Sequence, residues 1–333
     1  MYHVFSVGNR PIWGVGMDLF TIRRYLALLA GTVLFVASFS VSLADESLKQ
    51  DESRVAIVPR PHAAKRTDAN SAALRLDVKV VLIPVTVTDV LGRPVQGLGH
   101  ADFQLFEDNV AQKIVYVTTE EAPVSVGVIF DCSGSMANKI ETSVATMEQF
   151  FTMTLPGDEF LLIKVSDRPH LITGFSSDIS ELSGWLHSFR PAGWTALNDA
   201  IYMGIQKMKM AKNARKALLI LSDGGDNNSR YSAMETRRLV QEADVRIYSV
   251  SLLQASHFLE QISDETGGGM VRVRKMSELP EAIEKLNRDL RSHYVLGYYS
   301  NNPQNDGRYR KVRVHVNQPT VHASWRRGYY APE

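Results

Sequence analysis

The sequence predicts an α/β fold: a doubly wound, mostly parallel, Rossmann-like sheet, with a flanking β-sandwich-like domain formed from both sides of it. Three observations predict it. From Val124 to Ser292, short β-branched runs alternate with segments of helical period, the pattern of a parallel sheet covered on both faces. Two of those runs, Val124–Phe130 and Leu218–Leu221, are apolar almost throughout before they end in polar residues, as strands buried on both sides do. The flanks, Leu76–Thr118 and Tyr294–Trp325, are rich in strand formers broken by turn residues, and neither has strands enough for a core of its own.

The chain opens with Arg23-Arg24, the apolar run Tyr25–Phe39 and Ser42-Leu43-Ala44. This order of basic, apolar and small residues is that of a secretory signal peptide over residues 1–44. The apolar run is short for a membrane span, so an uncleaved N-terminal anchor is the alternative, and membrane association depends on it. Residues 45–73 are polar and charged and read as a disordered linker.

In Leu76–Thr88 the alternation of apolar residues changes phase near Pro84, which predicts an edge strand or a bulge there. Asp89–Pro94 is a turn by composition. Phe103–Glu107 and Gln112–Thr118 are short strands around the turn residues Asp108-Asn109. These make residues 74–120 the first part of the β domain. The α/β domain, residues 121–292, then begins with the strand Val124–Phe130. A helix follows from Met136 to Leu155, stopped by Pro156-Gly157. Strands are expected at Phe160–Val165, Leu171–Thr173, Lys216–Leu221, Val245–Ser251 and Met270–Val273. Helices are expected at Ile179–Phe189, Leu197–Met210, Ala233–Ala243, Phe258–Glu265 and Met276–Ser292. Residues 293–330 complete the β domain with Tyr294–Ser300, Arg308–Val316 and Val321–Trp325. In the simplest arrangement these pair with the strands before the α/β domain.

The chemistry gathers where the two apolar strands end. Asp131, Ser133 and Ser135 alternate in the loop after Val124–Phe130, so in an extended loop they point the same way. They offer one carboxylate and two hydroxyls, hard ligands suited to Mg²⁺. In open α/β sheets ligands bind at this carboxyl edge. The alternative for Ser133 or Ser135 is to cap the helix that follows. Thr195 lies in a loop before a helix, and Asp223 ends the strand Lys216–Leu221.

With Asp131-Cys-Ser-Gly-Ser135, a distal Thr195 and a distal Asp223 in this order, the chain resembles the von Willebrand factor type A domain. Its metal-ion-dependent adhesion site is built from D-x-S-x-S, a distal Thr and a distal Asp. The resemblance implies a metal site of Asp131, Ser133, Ser135, Thr195 and Asp223, holding Mg²⁺ (or Mn²⁺ or Ca²⁺). It also implies a partner protein that presents an Asp or Glu to the metal. The phrase from Asp89 through Gly92-Arg-Pro-Val-Gln-Gly-Leu98 to Asp102-Phe103 resembles the segment before the A domain in exported bacterial proteins related to this family.

Around these residues two readings stand side by side. Asp226 and Asn227 are either turn residues of a Gly-rich loop or hold the metal's ligands and waters in place. Trp194 replaces the family's usual small residue; it lines the rim and touches a partner, or packs beneath the loop. Asp199 reads as a helix-start charge, with a metal ligand as the alternative, and Cys132 as packing. Gly267-Gly-Gly269 precedes a strand instead of following one, so it is not a dinucleotide loop. With 37 basic and 36 acidic residues nothing suggests a nucleic-acid partner. One cysteine excludes an intrachain disulfide framework.

The function expected is a metal-dependent protein-binding module, exported to the periplasm or secreted, and not an enzyme. A metal-assisted hydrolase and a scaffold whose metal only stiffens the loops are the alternatives.

Overall fold

The computed structural model describes residues 80–119 and 122–332. The signal segment, the linker, the first residues of the Leu76–Thr88 run and the boundary expected at 120–121 lie outside the described residues.

A six-stranded sheet forms the centre of the α/β part. Its strands are β5 (Val124–Asp131), β6 (Glu159–Val165), β7 (His170–Ser176), β8 (Arg215–Ser222), β9 (Arg246–Leu252) and β10 (Gly269–Val273). Their order is β10-β9-β8-β5-β6-β7. All neighbours run parallel except β7, which is antiparallel to β6 at the edge. Every residue of β5 is buried, as its run of apolar residues requires of a central strand.

Helices cover both faces. Val124, Val126, Val128 and Phe130 pack with α1 (Ile140–Thr152), α2 (Ile179–Ser188) and α6 (Leu279–Arg291). Ile129, Leu218 and Ile220 pack with α3 (Leu197–Met208), α4 (Ala233–Glu242) and α5 (His257–Glu265). Among the described residues no helix is long and apolar enough to cross a membrane.

The flanking strands pair with one another across the α/β part. The remaining strands are β1 (Val80–Asp89), β2 (Phe103–Glu107), β3 (Val110–Gln112), β4 (Ile114–Thr119), β11 (Tyr294–Tyr299), β12 (Tyr309–Val316), β13 (Val321–Trp325) and β14 (Gly328–Tyr330). They form two four-stranded sheets, β13-β1-β11-β4 and β14-β12-β2-β3. Ile83, Val85, Val87, Leu296 and Tyr298 of the first share one core with Phe103, Leu105, Val312 and Val314 of the second. Each sheet therefore takes strands from both sides of the α/β part.

Several expectations are corrected. β1 has neither a phase break nor a bulge: Ile83, Val85 and Val87 alternate into the core, while Leu82 is exposed. It is an inner strand, and Pro84 is tolerated for a local reason. It pairs with Val295 on one side, while β13 begins only at Val85 on the other, so the missing N–H costs no ladder bond there. The helix expected from Met136 opens as a 3-10 turn, Gly134–Met136, and becomes α-helical only at Ile140. The strand β14 was not expected.

Candidate metal centre

The register of two parallel strands builds the site. Phe130 pairs with Leu221, so the ends of β5 and β8 place Asp131 beside Ser222 and Asp223. Both oxygens of Asp131 are engaged. Oδ1 accepts from the Ser133 N–H at 2.9 Å and Oδ2 from the Ser222 hydroxyl at 2.6 Å. Each oxygen keeps a further lone pair. Burial pushes the Asp131 carboxyl above its ordinary range; those hydrogen bonds pull it back, and the charge of Asp223 adds to the rise.

The hydroxyls of Ser133 and Ser135 lie 3.1 Å apart, and Ser135 donates to Asp223 Oδ1 at 2.9 Å. Neither hydroxyl caps a helix: Ser133 precedes the 3-10 turn without a side-chain cap, and the residue before α1 is Lys139. Asp131, Ser133, Ser135 and Asp223 thus meet at the carboxyl edge of the sheet. Thr195 lies in the adjoining loop, buried; among the described residues its hydroxyl makes no hydrogen bond to the other four.

Backbone hydrogen bonds stitch the three loops together. The Gly134 N–H donates to the Gly193 carbonyl at 3.0 Å, Ala192 to Cys132 at 3.0 Å, and Asn227 to Thr195 at 3.0 Å. Asn227 also accepts from the Thr195 N–H through Oδ1 at 2.8 Å, so it holds a proposed ligand by its backbone. Asp226 instead accepts from the Asn198 N–H, at the start of α3, and from the Ser229 hydroxyl. Asp199 is more than a helix-start charge: its Oδ1 accepts from the N–H groups of Arg230 and Tyr231, and Oδ2 from Arg230 Nε. It shapes the loop leading into α4. Trp194 is 64% exposed, its N–H fixed by Asp167 Oδ1 at 2.7 Å, so it stands on the rim and does not pack beneath the loop. Cys132 is fully buried among the core residues under α1 and α2, and burial pushes its thiol up.

Two residues here were missed by sequence reasoning. Ser222 lies just past the expected strand Lys216–Leu221 and ends β8, and its hydroxyl aims Asp131. Lys139 is buried, and its ammonium donates to the Ser135 carbonyl at 2.7 Å and to Asp223 Oδ2 at 2.5 Å. A signal existed: Lys139 follows Ser135 by four residues, the spacing at which side chains share a face once a helix begins.

Among the described residues no group of three or more His, Cys, Asp or Glu could hold a metal ion. A cation here would rest on two carboxylates, hydroxyls and water. The donors are all hard oxygens and suit Mg²⁺. The hydroxyl of Ser135, now given to Asp223, can turn a lone pair to a cation instead.

Residues 126–225 match the family model described as the von Willebrand factor type A domain. Together with the doubly wound sheet, this defines the class: the chain contains a von Willebrand factor type A domain. No curated protein matches the chain. Among solved structures, the chain is similar to a von Willebrand factor type A protein from Catenulispora acidiphila, at 12% identity over 76% of this chain and 73% of that one (TM-score 0.47). It is similar to the vWF domain of the type V pili tip protein from Porphyromonas gingivalis, at 13% identity over 51% and 95% (TM-score 0.43). A third is an aerotolerance-related membrane protein from Bacteroides fragilis, at 16% identity over 50% and 98% (TM-score 0.43). At these scores the likenesses say nothing of what this chain binds.

Proposed function

We propose that this chain is a binding module that works outside the cytoplasm and takes an Asp or Glu of a partner protein at this cluster. Asp131, Ser133, Ser135, Thr195 and Asp223 would hold Mg²⁺, or Mn²⁺ or Ca²⁺ in its place. When bound, the cation supplies an electrophilic coordination position that a carboxylate can fill. The observation that carries the reading is the convergence of Asp131, Ser133, Ser135 and Asp223, from two strand ends, in one hydrogen-bonded chain that Asp131 joins through the Ser133 N–H.

The residues around the cluster do the rest. Ser222 and the Ser133 N–H fix the direction of Asp131. Asn227 fixes the backbone of Thr195. Trp194 offers an exposed aromatic face beside them, the kind of residue that anchors interfaces. The scaffold alternative is the weaker one, because the protein's own backbone bonds already join the three loops and leave a cation little stiffening to do. The signal-like sequence before residue 45 supports the exported location.

The test is capture of a partner from envelope extract by wild type and Asp131→Ala, in Mg²⁺ and in EDTA. The binding role requires a partner retained by wild type in Mg²⁺, released by EDTA and not held by Asp131→Ala. Partner capture that is equal in all arms would replace it with the scaffold reading. Turnover of a substrate that Asp131→Ala abolishes would make the protein a hydrolase.

A further inference from the structure

We infer that Lys139 is a built-in competitor for the cation: its ammonium holds Asp223, and a divalent ion enters by pushing it off. This rests on the metal reading above and concerns what sets the strength of that site.

The geometry is specific. Lys139 stands at the start of α1, its side chain only 10% exposed, and its Nζ bridges two residues of the proposed ligand set. One contact is the Ser135 carbonyl at 2.7 Å; the other is Asp223 Oδ2 at 2.5 Å. The side chain of Asp223 is itself 5% exposed, and its other oxygen already takes the Ser135 hydroxyl. Both oxygens of Asp223 are therefore spoken for by donors that a cation must displace or turn.

The charges decide the direction of the effect. A buried carboxylate without a counter-charge is costly, and here the ammonium supplies that charge from within the chain. Two carboxylates and one ammonium leave a single negative charge in the cluster. A divalent ion reverses it to a single positive charge, in a place where water screens poorly. The ion thus loses an ion pair at Asp223 and meets a like charge beside it, and both weaken its binding. Once the lysine is displaced, the two carboxylates and the ion balance one another, so the cost falls on breaking the Lys139–Asp223 pair. The lysine can leave without unfolding anything, because its charge sits on a flexible four-carbon stem at a helix start.

The experiment is a calorimetric titration of Mn²⁺ into the full chain as wild type, Lys139→Met and Lys139→Gln, at one pH and one ionic strength. Unfolding midpoints are measured in Mn²⁺ and in EDTA alongside. Both variants are expected to bind Mn²⁺ at least about tenfold more tightly than wild type, because the competing charge is gone. Their midpoints should fall in EDTA, where Asp223 is left buried and unpaired, and Mn²⁺ should raise them by more than it raises wild type. Should Lys139→Met fail to fold in EDTA, Lys139→Gln keeps a donor for the Ser135 carbonyl and carries the same comparison.

If the variants bind Mn²⁺ with wild-type affinity or more weakly, the competitor role is overturned while the metal site stands. If none of the three binds Mn²⁺, the metal reading itself falls, and this inference with it. A Mn²⁺-loaded crystal structure adds an independent readout. Nζ should have left Asp223 Oδ2; finding it still hydrogen-bonded there beside the ion would overturn displacement.

Discussion

Alanine placed in turn at Gly267, Gly268 and Gly269 should give three different outcomes, because three adjacent glycines here serve three different needs. Gly268 precedes β10 where it runs against β9. A Cβ built on it would lie 1.9 Å from the Ile247 carbonyl oxygen and 2.6 Å from its carbon. Ordinary contact begins near 3.4 Å, and the obstacle is the backbone of a strand paired on both sides. Relief requires moving β10 off β9, so Gly268→Ala should cost about 3–5 kcal/mol. Gly267 has φ +73°, where an L-residue costs roughly 1–2 kcal/mol. Its Cβ would also meet Arg326 N and Trp325 C at 2.4 Å, where β13 ends and the linker to β14 begins, for a total of about 2–4 kcal/mol. Gly269 meets nothing closer than Leu286 Cδ2 at 3.8 Å, so its alanine should be neutral or stabilise by up to about 1 kcal/mol through the unfolded chain. Equilibrium urea unfolding of the three single variants measures this. A Gly268→Ala protein within about 0.5 kcal/mol of wild type, or a Gly269→Ala protein less stable than it, would refute the reasoning.

Two further outcomes follow from buried polar groups. Glu107, buried in the sandwich core, accepts from Tyr298 at 2.6 Å, from Tyr329 at 2.8 Å and from Ser300 at 2.5 Å. Tyr298→Phe removes one donor to a charged acceptor without opening a cavity, and should destabilise by about 1.5–3 kcal/mol in urea unfolding; an unchanged midpoint would contradict a cross-sheet clamp between β11 and β2. His293 accepts from Arg215 at 2.6 Å through Nδ1, and burial, then the charges of Arg246 and Arg215, push its imidazole down to about 2. The folded protein keeps it neutral, while the unfolded chain protonates it below about pH 6.5. Stability should therefore fall by up to about 1.4 kcal/mol per pH unit as pH drops from 6.5 toward that value. Unfolding of His293→Gln between pH 6.5 and 4.5 should show a flatter slope, and equal slopes would count against the depressed imidazole.

What could be read from the sequence follows a physical divide. β5 and β8 announce themselves because a strand buried on both faces needs apolar residues in sequence order, and the polar residues after them then fall at the sheet's carboxyl edge. Asp131, Ser133 and Ser135 lie within five residues, so local spacing alone suggested their convergence. Asp223 meets them only through the parallel register of β5 and β8, and there the family resemblance supplied what spacing could not. The burial phase of β1 was misread because it depends on partners more than 200 residues away in sequence, as in Val80 with Tyr299. Pro84 looked like a break, yet it sits where one neighbouring strand stops. Lys139 was passed over because a lysine at a helix start is ordinarily solvated, and only the fold shows which carboxylate its stem reaches. That the glycine triplet precedes a strand is legible in the sequence, but its cause, the close approach of Ile247 and Arg326, is a tertiary fact.

The most direct test of the metal-dependent binding role is calorimetric titration of Mg²⁺ into the partner-free wild type, Thr195→Ala and Asp131→Ala. Wild type should bind weakly, since two carboxylates and several waters make an incomplete cage. Thr195→Ala should bind more weakly still, and Asp131→Ala should not bind at all. Mg²⁺ binding by Asp131→Ala equal to that of wild type would contradict the assignment of the site, and with it the carboxylate-binding role.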